Sequence, residues 1–532
     1  MTDREDGADV LGEQDAAPVS EPMQGAGPSH PDGSGMTRRL ALVGARSAIG
    51  LIGVATAVVA VAAATWLPIP VLGTGPASTV VTPVAATQLR ICPGPVLQLG
   101  DDTGQEATTA NSLGRATVVR SSTQGTPALE DMDATGNESN VPSQRLSLPP
   151  GEAGDDPGLL AGSQSQYVET GDDVGFAATD CATPSAESWL VGGSTVTGRT
   201  TLIALNNPSK VSSTVSITVY SETGPVSAAG TDGIVVPPGG QRILSLAGFA
   251  PGIASPVVRV VSTGGQVTAN LQQSIVRTLA PGGVDLLGAS TRPSTLTVIP
   301  GVIITDHDAI AAAAGIEGYQ DIGAVLRMFV PDAAAGGDAG SGSSPVPVTV
   351  TAIPEDGASP AVSTTLDIDP GVVADLPFDD FASGEYTITV SSEVGVVAAA
   401  RTSIVSIAGD AAAGTARVRS TDFAWFVGAP ELRDRALVSI APGPSPLLHL
   451  ANTGTKDAVV TIEATAGASD TVTVPAGGAV SMPATAGRSY LLAEFDSLRV
   501  AVTYRGDGRL AGFVVRPQER VSQPVTVYRQ YG

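Results

Sequence analysis

Cysteine, histidine and lysine are all scarce in this chain of 532 residues, which has two cysteines, three histidines and two lysines. Two cysteines are too few ligands for a cysteine-based metal site. Basic patches interleaved with aromatic residues are also absent, and the formal net charge is −24. A protein with such a negative net charge and no basic patch repels polyanions. We therefore expect no nucleic-acid partner, no bound metal and no cofactor.

Aromatic residues make up 4% of the chain and charged residues 15%. Val, Ala, Leu and Ile carry the apolar content, with 63 glycines and 40 prolines between them, which favours short strands and turns over long helices. No nucleophile elbow, phosphate-binding loop or zinc-protease helix occurs. We expect a protein without enzymatic activity. A carbohydrate-active enzyme is a remote alternative, because carboxylates distant in sequence can converge in a fold.

One long apolar run is present, from Ser47 to Leu67, and it contains no charged residue. At 1.5 Å per residue it is long enough to cross a bilayer as a helix. Its flanks predict the orientation, with basic residues before the run and an interfacial aromatic at its far end: Arg38, Arg39, Arg46 and Trp66. The positive-inside rule then places residues 1–46 in the cytoplasm and the rest outside the plasma membrane.

Residues 1–46 are acidic and poor in apolar side chains, so we expect a disordered cytoplasmic tail. A cleaved signal peptide is the alternative to a retained single-pass anchor at 47–67, with Ala62, Ala63 and Ala64 as the cleavage site and Met36 as the start. Both interpretations export the remainder of the chain.

The exported body consists of repeats with a shared order of strands, turns and landmark prolines, the latter being Pro150, Pro238, Pro370 and Pro475. Alternation within the strands, as in Val215, Ile217 and Val219, is typical of half-buried antiparallel strands. The fold class we predict is mostly β: one N-terminal transmembrane helix followed by tandem immunoglobulin-like β-sandwich modules. Their predicted ranges are 85–188, 189–294, 295–422 and 423–532.

Smaller features of the repeats lead to further predictions. Hairpin turns are expected at 171–172, 263–265 and 507–508, where residues tolerate positive φ. Residues 309–325 read as a short helical connection, and residues 100–144 as a long loop inside the first module. The similarity between the segments around Trp189 and Trp425 suggests a larger duplication of paired modules.

Cys92 and Cys181 both fall in the first module and on the exported side. In an oxidising compartment we expect them to form a disulfide, and closing a loop of this length stabilises a fold by roughly 4 kcal/mol in the chain-entropy model. Two free buried thiols are the alternative.

Few other residues qualify as candidate sites. Asp306, His307 and Asp308 offer metal-ligand types, but without a second cluster a solvated turn is the better interpretation. His449 alternates with leucines, and we expect it on the surface or at a sheet edge. Residues 505–507 match an adhesion tripeptide, which a hairpin tip explains equally well. Residues 131–142 begin as a calcium loop but end in Pro142 instead of glutamate.

The segment from Cys181 to Thr195, of pattern C-x-x-P-x-x-E-x-W-L-V-G-G-S-T, is followed by Leu202 to Pro208, which ends in Asn-Pro. This pattern resembles an uncharacterised actinobacterial family of single-pass cell-envelope proteins, over most of residues 40–520. Thr453 replaces the proline in the last repeat, which weakens that module's match, as does His449. The resemblance implies an exported, membrane-tethered protein of unknown function, encoded in many genomes near envelope polysaccharide glycosyltransferases.

These observations predict a membrane-tethered structural or interaction protein of the cell envelope that binds another envelope protein or a glycan. The alternative is an accessory or scaffold subunit of a membrane glycan-assembly enzyme, acting through the membrane helix. With three Trp, eight Tyr and nine Phe, the chain has little material for a sugar-binding platform, which favours a protein partner.

Overall fold

The computed structural model describes residues 55–59, 78–81, 87–100, 110–133, 141–150, 158–332, 344–378, 381–409, 415–465, 467, 469–518 and 525–528. The chain divides into two compact units, one of residues 1–79 with 526–532 and one of residues 80–525. The predicted mostly-β class is confirmed, because these residues form several antiparallel sheets.

Residues 55–59 are helical and exposed. The rest of the predicted membrane segment lies outside the described residues, as do the acidic tail, Arg38, Arg39, Arg46 and Trp66. In the described part of the chain, no helix has the length and apolar character to cross a membrane. Strands β1 (Ser78–Val81) and β33 (Val525–Tyr528) pair with each other.

The first module comprises β2 to β9 and forms three small sheets, β2-β7-β6, β3-β4 and β5-β8-β9. Its strands are β2 (Gln88–Cys92), β3 (Leu97–Leu99), β4 (Ala110–Ser112), β5 (Thr117–Ser122), β6 (Ala128–Asp131), β7 (Gln144–Leu148), β8 (Leu160–Thr170) and β9 (Asp173–Asp180). The prediction of one long loop over 100–144 is wrong, since β4, β5 and β6 lie within it.

The second module is a sandwich of two sheets. One sheet has the strand order β10-β16-β12-β13, with β14 also pairing with β12, and the other has the order β15-β11-β17-β18. Its strands are β10 (Glu187–Val191), β11 (Arg199–Asn206), β12 (Ser213–Ser221), β13 (Gly224–Val226), β14 (Ile234–Val236), β15 (Gln241–Ser245), β16 (Val257–Thr263), β17 (Thr268–Arg277) and β18 (Ala280–Gly288), with a 3₁₀ turn at Leu246–Gly248. Val215, Ile217 and Val219 of β12 are buried, as their alternation predicts.

In the third and fourth modules, one long strand belongs to both sheets of the sandwich. The third comprises β19 (Ser294–Ile304), β20 (Val325–Phe329), β21 (Val346–Pro354), β22 (Val362–Ile368), β23 (Val373–Pro377), β24 (Gly384–Ala408) and β25 (Arg417–Val427). The fourth comprises β26 (Leu432–Ser439), β27 (Pro446–Ala451), β28 (Ala458–Ala464), β29 (Ser469–Val474), β30 (Ala479–Pro483), β31 (Ser489–Gly506) and β32 (Arg509–Val514). The shared strands are β24 and β31.

A glycine turn interrupts the equivalent strand of the second module. Gly264 has φ of +86°, and a Cβ there would lie 2.8 Å from the Ser212 carbonyl oxygen, so only glycine fits. The flanking strands β16 and β17 pair in different sheets, and the predicted hairpin at 263–265 is therefore wrong. The hairpins at 171–172 and 507–508 are confirmed.

One helix, His307–Ala314, connects β19 to β20. The prediction placed helix over 309–325, and it is wrong beyond Ala314, where Gly315 and turns follow. The proposed duplication also fails at its tryptophans. Trp189 lies on β10, the first strand of its module, whereas Trp425 lies on β25, the last strand of its module.

The last strand of each module packs against two others of its kind. Strand β9 contacts β18, β18 contacts β25, β25 contacts β32, and β32 contacts β9 again. One hydrophobic core runs from Ile203 in the second module through Trp425 in the third to Val514 in the fourth. The four modules therefore close into a ring around these strands.

Candidate functional site

The four strands at the centre of the ring meet along their free edges, where β-ladders leave N–H groups unpaired. The carboxylate of Asp422, on β25, accepts hydrogen bonds from four N–H groups of these strands. Its Oδ2 accepts from the N–H of Phe176 at 3.0 Å and of Leu510 at 3.3 Å. Its Oδ1 accepts from Val284 at 3.3 Å and Phe423 at 3.1 Å. Each central strand thus donates one backbone N–H to this side chain.

Asp285, on β18, bonds in the same manner. It accepts from the N–H of Trp425 at 2.8 Å and of Leu286 at 2.9 Å. Burial raises the pKa of Asp285 to about 7, although these two bonds oppose the shift. Burial likewise raises the pKa of Asp422 well above its ordinary value against the N–H bonds from Phe176 and Leu510.

Small residues permit the close approach of the central strands. A Cβ at Gly175, on β9, would lie 2.7 Å from the Val284 nitrogen and 2.8 Å from Asp422 Oδ1. A Cβ at Gly283, on β18, would lie 2.7 Å from the same oxygen. Larger side chains at these two glycines would push the carboxylate away from its donors.

The third and fourth modules share a fully buried, hydrogen-bonded pair, Glu355 and His449. His449 Nδ1 lies 2.5 Å from Glu355 Oε2, and His449 Nε2 lies 2.7 Å from Thr503 Oγ1. Glu355 Oε1 accepts from Thr387 Oγ1 at 2.7 Å and from the Gly301 N–H at 3.1 Å. The prediction of a surface position for His449 is wrong, because its side chain is 0% exposed.

Burial on its own would raise the pKa of Glu355, but the neighbouring imidazole and the hydrogen bonds hold it below its ordinary value. A carboxylate, an imidazole and a hydroxyl in series can activate a nucleophile. Here Thr503 is itself 0% exposed and lines neither of the two surface clefts described below. The arrangement joins the third and fourth modules.

The second and third modules are joined by Arg327. Its Nε and Nη2 bond the two oxygens of Asp375 at 2.9 and 3.0 Å, and its Nη1 donates to the Gly193 carbonyl at 2.9 Å. The guanidinium also lies 4.8 Å from the centre of the Trp425 ring. Burial opposes ionisation of Asp375, yet Arg327 keeps its pKa below the ordinary value.

Three arginines converge on Asp321, in the turns after the helix. Arg199 Nη2 donates to Asp321 Oδ2 at 2.6 Å, Arg277 Nη1 donates to Oδ1, and Arg401 Nη2 donates to the Asp321 carbonyl. Although burial works against it, these cations lower the pKa of Asp321 to about 2. Burial lowers the pKa of Arg401 to about 10. The cluster fixes residues 318–323 against the second and third modules.

The predicted disulfide between Cys92 and Cys181 is confirmed, and both residues are 0% exposed. Asp306 caps the helix by accepting from the Ala309 N–H at 3.1 Å, and Asp308 lies in the first turn, which accounts for the pattern at 306–308. Residues 505–507 form the tip of the β31–β32 hairpin.

Sequence reasoning missed Asp422, Asp285 and Glu355. A signal was available for the two aspartates, since each is the one charged residue in a largely apolar stretch, TDFAWFV or GVDLLG. A charge in such a position is buried and bonded. Its partners were not readable, because they are backbone groups of other modules.

Two clefts open on the surface of the described part. One has a volume of about 330 Å³ and a lining that includes the polar residues Thr268, Arg292 and Arg516. The other has a volume of about 400 Å³ and lies beside the helix, where Ile304, Ile310, Ile322 and Phe378 form its wall. Both volumes are in the range of small-molecule sites.

A family of unknown function, DUF5719, matches residues 143–443. That range runs from β7 to the end of β26, so it includes Cys181, both central aspartates, Glu355 and the helix. The chain belongs to the DUF5719 family. The expectation of an uncharacterised family is confirmed to that extent.

No curated protein matches this DUF5719 chain. Among solved structures, the crystal structure of the FN1–FN3 domains of chicken CNTN1 is 11% identical, over 65% of this chain and 99% of that one. The TM-score is 0.10, which is too low to carry an argument about fold or function.

Proposed function

We propose that this DUF5719 protein is a membrane-tethered, extracytoplasmic interaction protein of the cell envelope, and that it catalyses no reaction. One observation carries the proposal: the deeply buried charged side chains bridge modules. Asp422 bonds strands of all four modules, Glu355 pairs with His449, and Arg327 pairs across to the second module. Their polar chemistry is used to build a rigid body that presents loops and edges.

The proposed location rests on three features. A buried disulfide is typical of proteins that fold in an oxidising compartment. The apolar run at 47–67, with its basic N-terminal flank, is typical of a single-pass anchor, and the described residues 55–59 within it are helical. The exported part would then be everything after about residue 68, including the compact unit of residues 80–525.

A protein partner fits the described surface better than a glycan. Sugar-binding platforms use exposed aromatic rings. Among the exposed large hydrophobic residues of the described part, Tyr167 is the aromatic member and the others are aliphatic, such as Leu279 and Val362. A ring of aromatics on one module is not found in that part of the chain.

The test is an affinity purification from detergent-solubilised membranes with the full chain, beside the same chain lacking residues 1–67. Partners are identified by mass spectrometry. Recovery of one envelope protein with both forms supports the proposal. Recovery of a glycan-assembly enzyme with the full chain alone supports an accessory subunit that acts through the anchor. Turnover of a glycan by the purified protein would overturn a non-enzymatic role.

A further inference from the structure

A cleft opens beside the helix His307–Ala314. Its volume is about 400 Å³. Aliphatic and aromatic side chains form much of its lining, from β19, from the helix, from the turns that follow the helix and from the residue after β23: Ile304, Ile310, Ala311, Ala314, Ile322 and Phe378. An apolar cleft of this size is the usual form of a small-molecule site.

One polar group in this cleft has no partner. Thr402, on β24, lines the cavity and is 1% exposed, and its hydroxyl makes no hydrogen bond within the described structure. A buried hydroxyl without a partner is costly. The neighbouring hydroxyl of Thr305 donates to the Ser403 carbonyl at 2.7 Å. Thr402 is therefore the group that a ligand would satisfy.

The lining contains no Lys, Arg, Asp or Glu side chain, and its one ionisable residue is His307, which is about half exposed. A charged ligand group beside Thr402 would meet no permanently charged side chain in this lining and would lose its hydration. The polar end of the ligand must therefore be neutral, as in an alcohol or an ester carbonyl.

The walls of the cleft are held in place before any ligand binds. On one side, Arg199, Arg277 and Arg401 bond to Asp321. These bonds fix the turns that contain Ile322. On the other, the Asp306 cap anchors the start of the helix. Such preorganisation lowers the entropic cost of binding.

We infer that this cleft binds an aliphatic chain with one neutral oxygen-bearing end, whose oxygen bonds the Thr402 hydroxyl while the chain packs against Ile304, Ile322 and Phe378. The chain is either a free alcohol or the acyl ester of a lipid. This inference does not depend on the proposed function.

The test is methyl NMR of the full chain labelled at isoleucine, titrated with 1-octanol, methyl octanoate and sodium octanoate. We expect saturable shifts at Ile304, Ile310 and Ile322, with Ile217 and Ile462 of other modules unchanged. Tighter binding of 1-octanol than of methyl octanoate indicates that the natural ligand is a free alcohol. Tighter binding of methyl octanoate indicates the acyl ester of a lipid. Absence of saturable shifts with both neutral probes, or octanoate binding as tightly as 1-octanol, would overturn the inference.

Two variants test the geometry. Thr402→Val removes the hydroxyl at nearly constant shape and should weaken binding about five- to tenfold, the value of one hydrogen bond. The control is Thr421→Val, which removes an equally unpartnered buried hydroxyl outside the cleft and should leave binding unchanged. Equal effects of the two variants would refute a role for Thr402.

Ala311→Phe, at an exposed helix position, should fill the cleft and abolish binding. Unchanged binding would refute the site.

Discussion

Two buried carboxylates hold modules of this protein together, and they do so by different chemistry. Asp422 lies at the centre of the ring and its oxygens are bonded by backbone N–H groups. Glu355 lies between the third and fourth modules and is bonded by an imidazole, a hydroxyl and one N–H. Burial raises the pKa of Asp422, whereas His449 turns the pKa of Glu355 in the other direction.

The comparison shows what a neighbouring ring nitrogen adds to a buried carboxylate. Backbone dipoles alone reduce the cost of burying the charge but do not remove it. The imidazole 2.5 Å away and the hydrogen bonds to Glu355 together lower its pKa in spite of its burial. The centre of the ring therefore loses stability when Asp422 ionises. The contact between the third and fourth modules is instead more stable when Glu355 is ionised.

Loss of the imidazole should have the largest effect. His449→Leu leaves the Glu355 carboxylate buried without its imidazole partner, which typically costs about 3–5 kcal/mol. Urea denaturation monitored by circular dichroism measures this change. Because the two residues form one pair, His449→Leu combined with Glu355→Gln should cost less than the sum of the single variants. Additive single effects would contradict a direct coupling.

Replacement of the central carboxylate comes next. Asp422→Asn sets an amide NH₂ against two of the backbone donors, and two opposed or unsatisfied N–H groups cost on the order of 3 kcal/mol. The same denaturation experiment applies, with the exposed Asp470→Asn as the matched control. Equal stability of these two variants would mean that the central carboxylate is dispensable.

The pH dependence separates the two regions. Asp285 has a pKa of about 7 in the folded protein and about 3.9 in an unfolded chain. Between pH 4 and 7 the folded state retains a proton that the unfolded state has lost, so the free energy of unfolding should fall by roughly 1 kcal/mol per pH unit. Asp285→Asn should flatten this slope. Glu355 acts oppositely, since its contribution is present above its unfolded pKa and is lost as the pH falls through the lowered folded value.

The smallest effect concerns the space around the centre. Gly175→Ala places a methyl group 2.7 Å from the Val284 nitrogen, and overpacking of this kind costs about 1–2 kcal/mol. Gly248→Ala is the control, because nothing lies within 4 Å of its added Cβ and its φ is not in the left-handed region. Thermal denaturation of both variants measures the difference, and equal midpoints would argue against tight strand contact at Gly175.

Local patterns in the sequence predict local features well. Alternation in β12 predicts its buried face, Cys92 and Cys181 pair as expected, and Asp507-Gly508 forms its hairpin. Failures occur where distant segments decide the outcome. His449 looks like an edge residue until Glu355, 94 positions away, supplies its partner. Gly264 looks like a hairpin turn until the two flanking strands enter different sheets.

The candidate cleft was beyond sequence reasoning for the same reason. Ile304, Ile322 and Thr402 lie on segments that come together only when the helix folds back on β24. The repeats themselves predict sandwich modules, but not the cyclic contact of their last strands, because those contacts use backbone N–H groups that every sequence possesses.

Scanning calorimetry of the purified full chain tests the central claim most directly. If the four modules are one body joined at Asp422, residues 80–525 should unfold in a single transition whose calorimetric and van't Hoff enthalpies agree. Separate transitions for individual modules, each with its own midpoint, would contradict the account and describe four independent sandwiches on a common chain.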